Sequence, residues 1–270
     1  MRILKKSAIT FMVFLLAAVP LFAENITIKG STTVLPIAQA TAEEFMNSNP
    51  KIDISVQGGG SGVGIAALLD STTDIADASR PIKDKELDIA VGRGIEPKAH
   101  VVAMDGIAVA VHPANSIEAL TKQQVKDIYT GKISNWSQLG GPAGKIVVIS
   151  RDTSSGTYEA FNSLALGGAR VRPDALLEAS NQAVATVVAK TPGAIGYLGL
   201  GFVSDAVKAV IIDGIQCSKE TVLSAEYPYS RPLFMYTNGA PKGAVKSYLE
   251  FVTSSAGQYI AEKQGYVGLQ

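Results

Sequence analysis

One unit recurs along this chain and limits the folds open to it. An apolar stretch of strand length runs into a cluster of Gly, Ser and Thr, and an amphipathic helical stretch follows. The unit is seen in NITIKGSTTVLPIAQATAEEFMNSNP (residues 25–50), DISVQGGGSGVGIAALLD (53–70) and KIVVISRDTSSGTYEAFNSLAL (145–166). In the first copy Ile26 and Ile28 alternate with polar residues, as in a half-buried strand, and Val34, Ile37, Ala38, Thr41 and Phe45 follow a helical period. Thr32 or Thr33 is the expected N-cap, Pro36 suits a first turn, and Asn49-Pro50 ends the helix. A fourth helix is expected near residues 181–190, leading into a strand in PGAIGYLG. Strands alternating with helices predict βαβ units and a largely parallel sheet.

Two stretches read as crossings between lobes. VVAMDGIAVAVHP (101–113) is an unusually long strand candidate, and AEYPYSRPLFMYTN (225–238) is an extended aromatic stretch that returns the chain. The expected architecture is therefore α/β, with lobe 1 from residues 24–104 plus 231–270 and lobe 2 from 105–230. Two crossings imply a hinged cleft, and small ligands favour such interfaces.

Residues 1–23 read as a cleavable signal peptide. Arg2, Lys5 and Lys6 precede an apolar run that ends in PLFA. That run is short for a membrane span, and no cysteine near the cleavage point could carry a lipid. Export then implies a periplasmic protein that is not a lipoprotein. Without the leader, 21 basic residues would face 24 acidic ones, a balance that argues against a nucleic-acid partner. Cys217 is the single cysteine, so no intrachain disulfide can form and a thiolate metal site is not expected.

The three junctions share a chemistry. The first N–H groups of a helix lack intrahelical partners, and the macrodipole adds positive charge there, so an anion sits well at a helix start. Glycine lets backbone approach a ligand, and Ser and Thr hydroxyls can rotate to fit. One such junction is ordinary capping chemistry. Three in one chain, one preceded by Arg151 with its planar fork, point to a tetrahedral oxyanion. The plain alternative for Arg151 is a surface ion pair with Asp152 or Glu159.

At these residues the chain resembles a known family. GSTTVLPIAQATAEEF, VQGGGSGVGIAALLDSTTDIADASRPI, LTKQQVKDIYTGKISNW and SRDTSSGTYEAF, in this order, are similar to the phosphate-binding proteins of bacterial phosphate ABC transporters. TPGAIGYLGLGF and RPLFMYT resemble later segments of the same family, so the similarity covers nearly the whole chain after the leader. It implies a two-lobed periplasmic binding protein fold, type II-like, with two hinge crossings. It also implies a monomer that binds inorganic phosphate and delivers it to the transporter's membrane permease, without cofactor or metal. Carried over, Thr32 and Thr33 would supply a hydroxyl and backbone N–H groups, Ser61 would donate from the second junction, and Arg151 would fork onto the phosphate. Ser155, Gly156 and Thr157 would close the lobe 2 side. One position departs from the pattern. The family's usual aspartate in the A-S-x segment, which accepts the proton of phosphate, is Arg80 in ASRPI. An arginine cannot accept. Arg80 is then either a second cationic contact or turned away while another group accepts, and Asp77 and Asp105 are the candidates.

Rival readings are a receptor for another oxyanion (sulfate, molybdate or tungstate), a phosphate sensor, and an enzyme. A serine hydrolase would need G-x-S-x-G, which neither GGSGV nor TSSGT supplies, and GPAGKI fails as a phosphate-binding nucleotide loop. His100 and His112 have no partner at catalytic spacing, and Trp136 reads as core packing. Tyr197 and Tyr236 could serve either core or cleft.

Overall fold

The computed structural model describes residues 24–269; the leader expected over residues 1–23 lies outside them. The chain opens with β1 (Glu24–Gly30), α1 (Leu35–Ser48), β2 (Ile52–Gly58), α2 (Ser61–Leu69), β3 (Ile75–Ala78) and α3 (Asp84–Gly92). The long β4 (Pro97–Val111) leads to β5 (Ala119–Leu120), α4 (Lys122–Thr130), β6 (Val147–Arg151), α5 (Gly156–Phe161), β7 (Leu176–Glu178), α6 (Asn181–Lys190) and β8 (Ala194–Gly199). Short β9 (Lys208–Ala209), β10 (Ile211–Ile212) and α7 (Lys219–Leu223) precede β11 (Ser230–Asn238), and α8 (Gly243–Thr253) and α9 (Ser255–Lys263) close the chain.

The main sheet runs β2-β1-β3-β11-β4-β8-β6-β7, with β9 on β4. The β1–β2, β1–β3, β6–β7 and β6–β8 pairs are parallel, as the βαβ units require. The centre departs from the largely parallel sheet expected. β11 is antiparallel to β3 and β4, and β4 is antiparallel to β8. The reason is the path of the chain: β4 leaves one half while β11 returns beside it, so the two must run in opposite directions. β4 pairs with β11 from Pro97 to Gly106 and then with β8 from Ile107 onward. One strand thus belongs to both halves.

Each half has its own core. Ile26, Ile28, Ile37, Phe45, Tyr248 and Tyr266 pack in the first, and Val125, Tyr129, Trp136, Phe161, Tyr197 and Tyr229 in the second. α1 buries Ile37, Ala38, Thr41 and Phe45, which is the predicted stripe. Neither Thr32 nor Thr33 caps it: the N-cap is Val34, and Ser31 Oγ accepts the Thr33 and Val34 amides at 3.1 and 3.3 Å. Pro36 in the first turn sets the helix start there, which moves the capping hydroxyl back to Ser31. The return stretch also starts later than expected. Tyr227 and Tyr229 drop into the second core, Tyr227 donating to the Ile107 carbonyl at 3.0 Å, and the strand proper begins at Ser230.

Trp136 is buried, its indole N–H on the Gly193 carbonyl at 3.1 Å. Tyr197 stacks on Phe161 with ring centroids 3.9 Å apart, and Tyr129 meets both rings edge-on or tilted. This aromatic triad ties α4 and α5 to β8. The Tyr197 hydroxyl accepts the Arg151 amide at 3.0 Å, so core packing fixes the backbone on which Arg151 stands. Of the two roles left open for Tyr197, it fills the core one.

Candidate functional site

The structure brings the three junctions to one place. α1 and α2 present their starts from one side, and α5 presents its start from the other. Ser155 Oγ caps α5 by accepting the Tyr158 amide at 3.2 Å. Gly60 precedes α2 with φ 101°, a backbone shape that favours glycine, and a methyl group there would lie 2.6 Å from the Ser154 carbonyl oxygen across the cleft. A methyl group at Gly156 would overlap Ser61 Oγ and come within 2.7 Å of Ser79 Oγ. The glycines therefore set how closely the two sides meet. Direct bonds join them: Thr33 Oγ1 lies 2.9 Å from Thr157 Oγ1, the Gly62 amide donates to the Ser154 carbonyl at 3.0 Å, and Arg151 Nη2 donates to Thr32 Oγ1 at 3.2 Å.

Arg151 is 1% exposed, so the surface ion pair weighed for it does not form. Its Nε and Nη2 donate to the Glu178 and Ala179 carbonyls at 2.9 and 3.0 Å. Nη1 has no partner among the described residues. The guanidinium is held by neutral acceptors, and no carboxylate among the described residues forms an ion pair with it. Burial pulls its pKa down, opposed by Tyr197 and Asp152 and reinforced by the charge of Arg231. A buried, uncompensated cation with a free donor is costly unless an anion completes it.

Arg231, which sequence reasoning passed over, lies at the centre of the site. Its Nε and Nη2 donate to Asp105 Oδ2 at 3.0 and 2.8 Å. Nη1 reaches the Ser79 carbonyl at 3.1 Å and the Gly156 carbonyl at 3.4 Å, one on each side of the cleft. Nη2 also points at Thr157 Oγ1 (3.1 Å) and Thr33 Oγ1 (3.3 Å). Asn181 Nδ2 donates to Thr33 Oγ1 at 2.8 Å. The signal available for Arg231 was its place in SRPLFMYT, in the returning crossing; Asn181 offered only its place at the start of a helix.

Arg80 stands elsewhere. Its guanidinium is gripped by both oxygens of Glu86 at 2.8 Å, and its Nε faces Glu159 from the far side of the cleft. Lys83 Nζ reaches Glu159 Oε1 at 2.5 Å. Arg80 is thus the hub of an ion cluster at the rim, while the other seven predicted residues converge on the junctions. Of the two carboxylates weighed as replacement acceptors, Asp105 is committed to Arg231 and the Leu200 amide, and burial raises its pKa despite Arg231. Asp77 is buried with Oδ1 unpartnered, and burial pushes its pKa well up.

Residues 19–256 match the PBP superfamily domain. The chain is 38% identical over 248 residues to the phosphate-binding protein PstS of Bacillus subtilis, covering 90% of this chain and 80% of that one. Among solved structures, a phosphate ABC transporter substrate-binding protein of Clostridium perfringens with bound phosphate superposes with a TM-score of 0.85 at 33% identity, covering 92% of this chain and all of that one. An ABC-type phosphate transport receptor of Vibrio cholerae gives 0.75 at 32% identity, covering 90% and 99%.

The chain belongs to the phosphate-binding protein family. Its two-lobed fold is that of the family's solved members.

Proposed function

We propose that this phosphate-binding family member takes inorganic phosphate into the cleft between its lobes and hands it to the permease of a phosphate ABC transporter. The observation that carries this is Arg151: a buried guanidinium with no ion-pair partner among the described residues, one donor unpartnered, set between helix starts that belong to opposite sides of the cleft. An oxyanion there receives the free Nη1 of Arg151, amides of the α1 and α5 junctions, and hydroxyls of Thr32, Ser61, Ser155 and Thr157. The phosphate-bound Clostridium perfringens relative supports the choice of anion.

Binding without turnover fits the same site. His112 Nδ1 accepts the Ala114 amide in a turn, and His100 Nε2 pairs with Thr237 Oγ1, so neither histidine faces the junctions. The lobes, 24–104 plus 231–270 and 105–230, pivot where β4 and β11 cross. An anion that touches both sides shifts the population toward the closed form. Export of a monomer to the periplasm by the leader at residues 1–23 completes the reading.

The test is isothermal titration of residues 24–270 with phosphate, sulfate, arsenate and molybdate. The expected result is one phosphate per chain, with scattering that shows a smaller radius at saturation. Preference for molybdate or sulfate would overturn the choice of anion, and release of phosphate from a generic ester would overturn the binding-only role.

A further inference from the structure

The hydrogen-bond polarity of the Thr33–Thr157 pair follows from its neighbours. Asn181 Oδ1 accepts the Gly199 amide at 3.3 Å, which turns its Nδ2 toward Thr33 Oγ1. Amide NH₂ and guanidinium groups can only donate. One Nη2–H of Arg231 goes to Asp105, and the other spans Thr33 Oγ1 and Thr157 Oγ1. Thr33 thus receives Asn181 and Arg231 on its two lone pairs, and its own proton goes to Thr157 Oγ1, 2.9 Å away. Thr157 in turn receives Thr33 and Arg231, so both of its lone pairs are taken and its proton is left to donate. The reverse order would press three donors onto the two lone pairs of Thr33.

The second hydroxyl pair is wired differently. Ser61 Oγ accepts the Ser79 amide at 3.0 Å and lies 3.4 Å from Ser79 Oγ. Among the described residues no side-chain donor of the Asn or Arg kind reaches either oxygen, so this pair keeps accepting capacity. It flanks Gly156, one residue before Thr157.

Resting on the reading of the cleft as a phosphate site, we propose that Arg231, held by Asp105 and joined by Asn181, is a positioning residue. It commits Thr157 to donate to the bound anion and leaves the Ser61–Ser79 pair as the acceptor of phosphate's own proton. Discrimination against sulfate, which has no proton to give, then resides in the serines. The family's usual carboxylate is replaced by a neutral acceptor rather than by Arg80.

The experiment is competition titration with inorganic phosphate and sulfate at pH 8, with melting temperatures measured alongside. Wild type comes first: if it fails to bind phosphate, the functional reading itself falls, and the polarity argument with it. If it binds, Thr157→Val should weaken both anions alike, by about tenfold or more, because a committed donor does not tell them apart. Ser79→Ala should weaken phosphate about tenfold more than sulfate. Arg231→Lys keeps a cation beside Asp105 but cannot span both threonine oxygens. It should free a lone pair on Thr157 and so raise the phosphate-to-sulfate ratio, a change that loss of structure alone would not produce. Asn181→Ala, which frees a lone pair on Thr33, should do the same and serves if Arg231→Lys does not fold. The proposal is overturned if Thr157→Val shifts the ratio by more than about threefold against the tenfold expected of Ser79→Ala. It is also overturned if the ratio is unmoved in the Arg231 and Asn181 variants, or if Asp77→Asn rather than Ser79→Ala lowers it, since the acceptor would then be Asp77.

Discussion

Arg80 and Arg151 are both buried beside the cleft, at 5% and 1% exposure, yet they are wired in opposite ways. Arg80 meets two carboxylates, Glu86 beside it and Glu159 across the cleft, with Lys83 as the second cation. The four charges balance within the cluster. Arg151 meets only carbonyls and a threonine hydroxyl and keeps Nη1 unpartnered. The difference teaches that burial of an arginine says little by itself, and that the charge around it decides. A compensated arginine is a structural tie between the two sides; one without an ion pair keeps a donor that an anion could take.

The largest effect that could break this comparison is at Arg151. Arg151→Ala removes a charge-assisted donor, which is worth about 1.5–3 kcal/mol or more, so phosphate affinity should fall by about tenfold to beyond a hundredfold. Calorimetry checks it, and Arg151→Lys should recover only part of the loss, because a point charge cannot serve two carbonyls and an anion at once. A smaller loss than that of Arg80→Ala would reverse the ranking of the two arginines.

Next in size is a change that leaves every anion donor in place and alters only the approach of the two sides. Gly60→Ala puts a methyl group 2.6 Å from the Ser154 carbonyl, with φ 101° adding backbone strain. The expected outcome is weaker phosphate binding together with a larger radius of the saturated protein in scattering. Unchanged closure would mean that the glycine is there for its own turn and not for the neighbour across the cleft.

Arg80→Ala should then act mainly on stability. It leaves Glu86 without its bidentate partner and Glu159 with Lys83 alone. Breaking a buried pair costs about 3–5 kcal/mol, but both acids are 15% exposed, so water screens part of that. A fall in melting temperature with a smaller loss of phosphate affinity than in Arg151→Ala is expected. Double substitution with Glu86→Gln should recover part of the stability, since it removes the orphaned charge.

How much of this was legible beforehand follows from what each signal depends on. The βαβ units, the span of α6 and the three junctions rest on local patterns, and those patterns survive into the structure: Ile26 and Ile28 are buried, and Ser61 and Gly156 begin helices. The antiparallel centre was not legible, because strand direction there depends on where the crossings lie relative to each other. Nor was the fate of Arg80. Its partner Glu86 is six residues on, at the start of α3, and its partner Glu159 is on α5 across the cleft. No periodicity links those three positions. Arg231 was hidden for a similar reason: SRPLFMYT reads as a strand, and only the crossing of β4 and β11 places its side chain against Asp105 and both threonines.

The smallest effect sharpens the same comparison through pH. Burial pushes the pKa of Glu86 up, but hydrogen bonds from Arg80 and the Lys83 amide, with the charges of both residues, outweigh it and hold the pKa below the ordinary value of 4.5. A carboxylate with a depressed pKa contributes stability that is complete above its unfolded value and is lost as pH falls through its folded one. The Glu86 contribution should therefore be flat above about pH 4.5 and decline below it. Asp105 acts in the opposite sense. Burial raises its pKa despite Arg231, so the cost of ionising it is present above its ordinary value of 3.8 and is relieved in acid. Whole-protein melting curves mix the two, and the difference between wild type and Glu86→Gln isolates the first. That difference should shrink as pH falls below about 4.5, where a depressed glutamate takes up its proton. Arg151 has no such counterpart, since no carboxylate among the described residues forms an ion pair with it. Phosphate affinity measured over the upper part of this range should accordingly follow the protonation of the anion and of the cleft hydroxyl network, and be the same in Glu86→Gln as in wild type. Parallel loss of stability and affinity in the variant would show that the rim cluster and the anion site are one coupled unit rather than two.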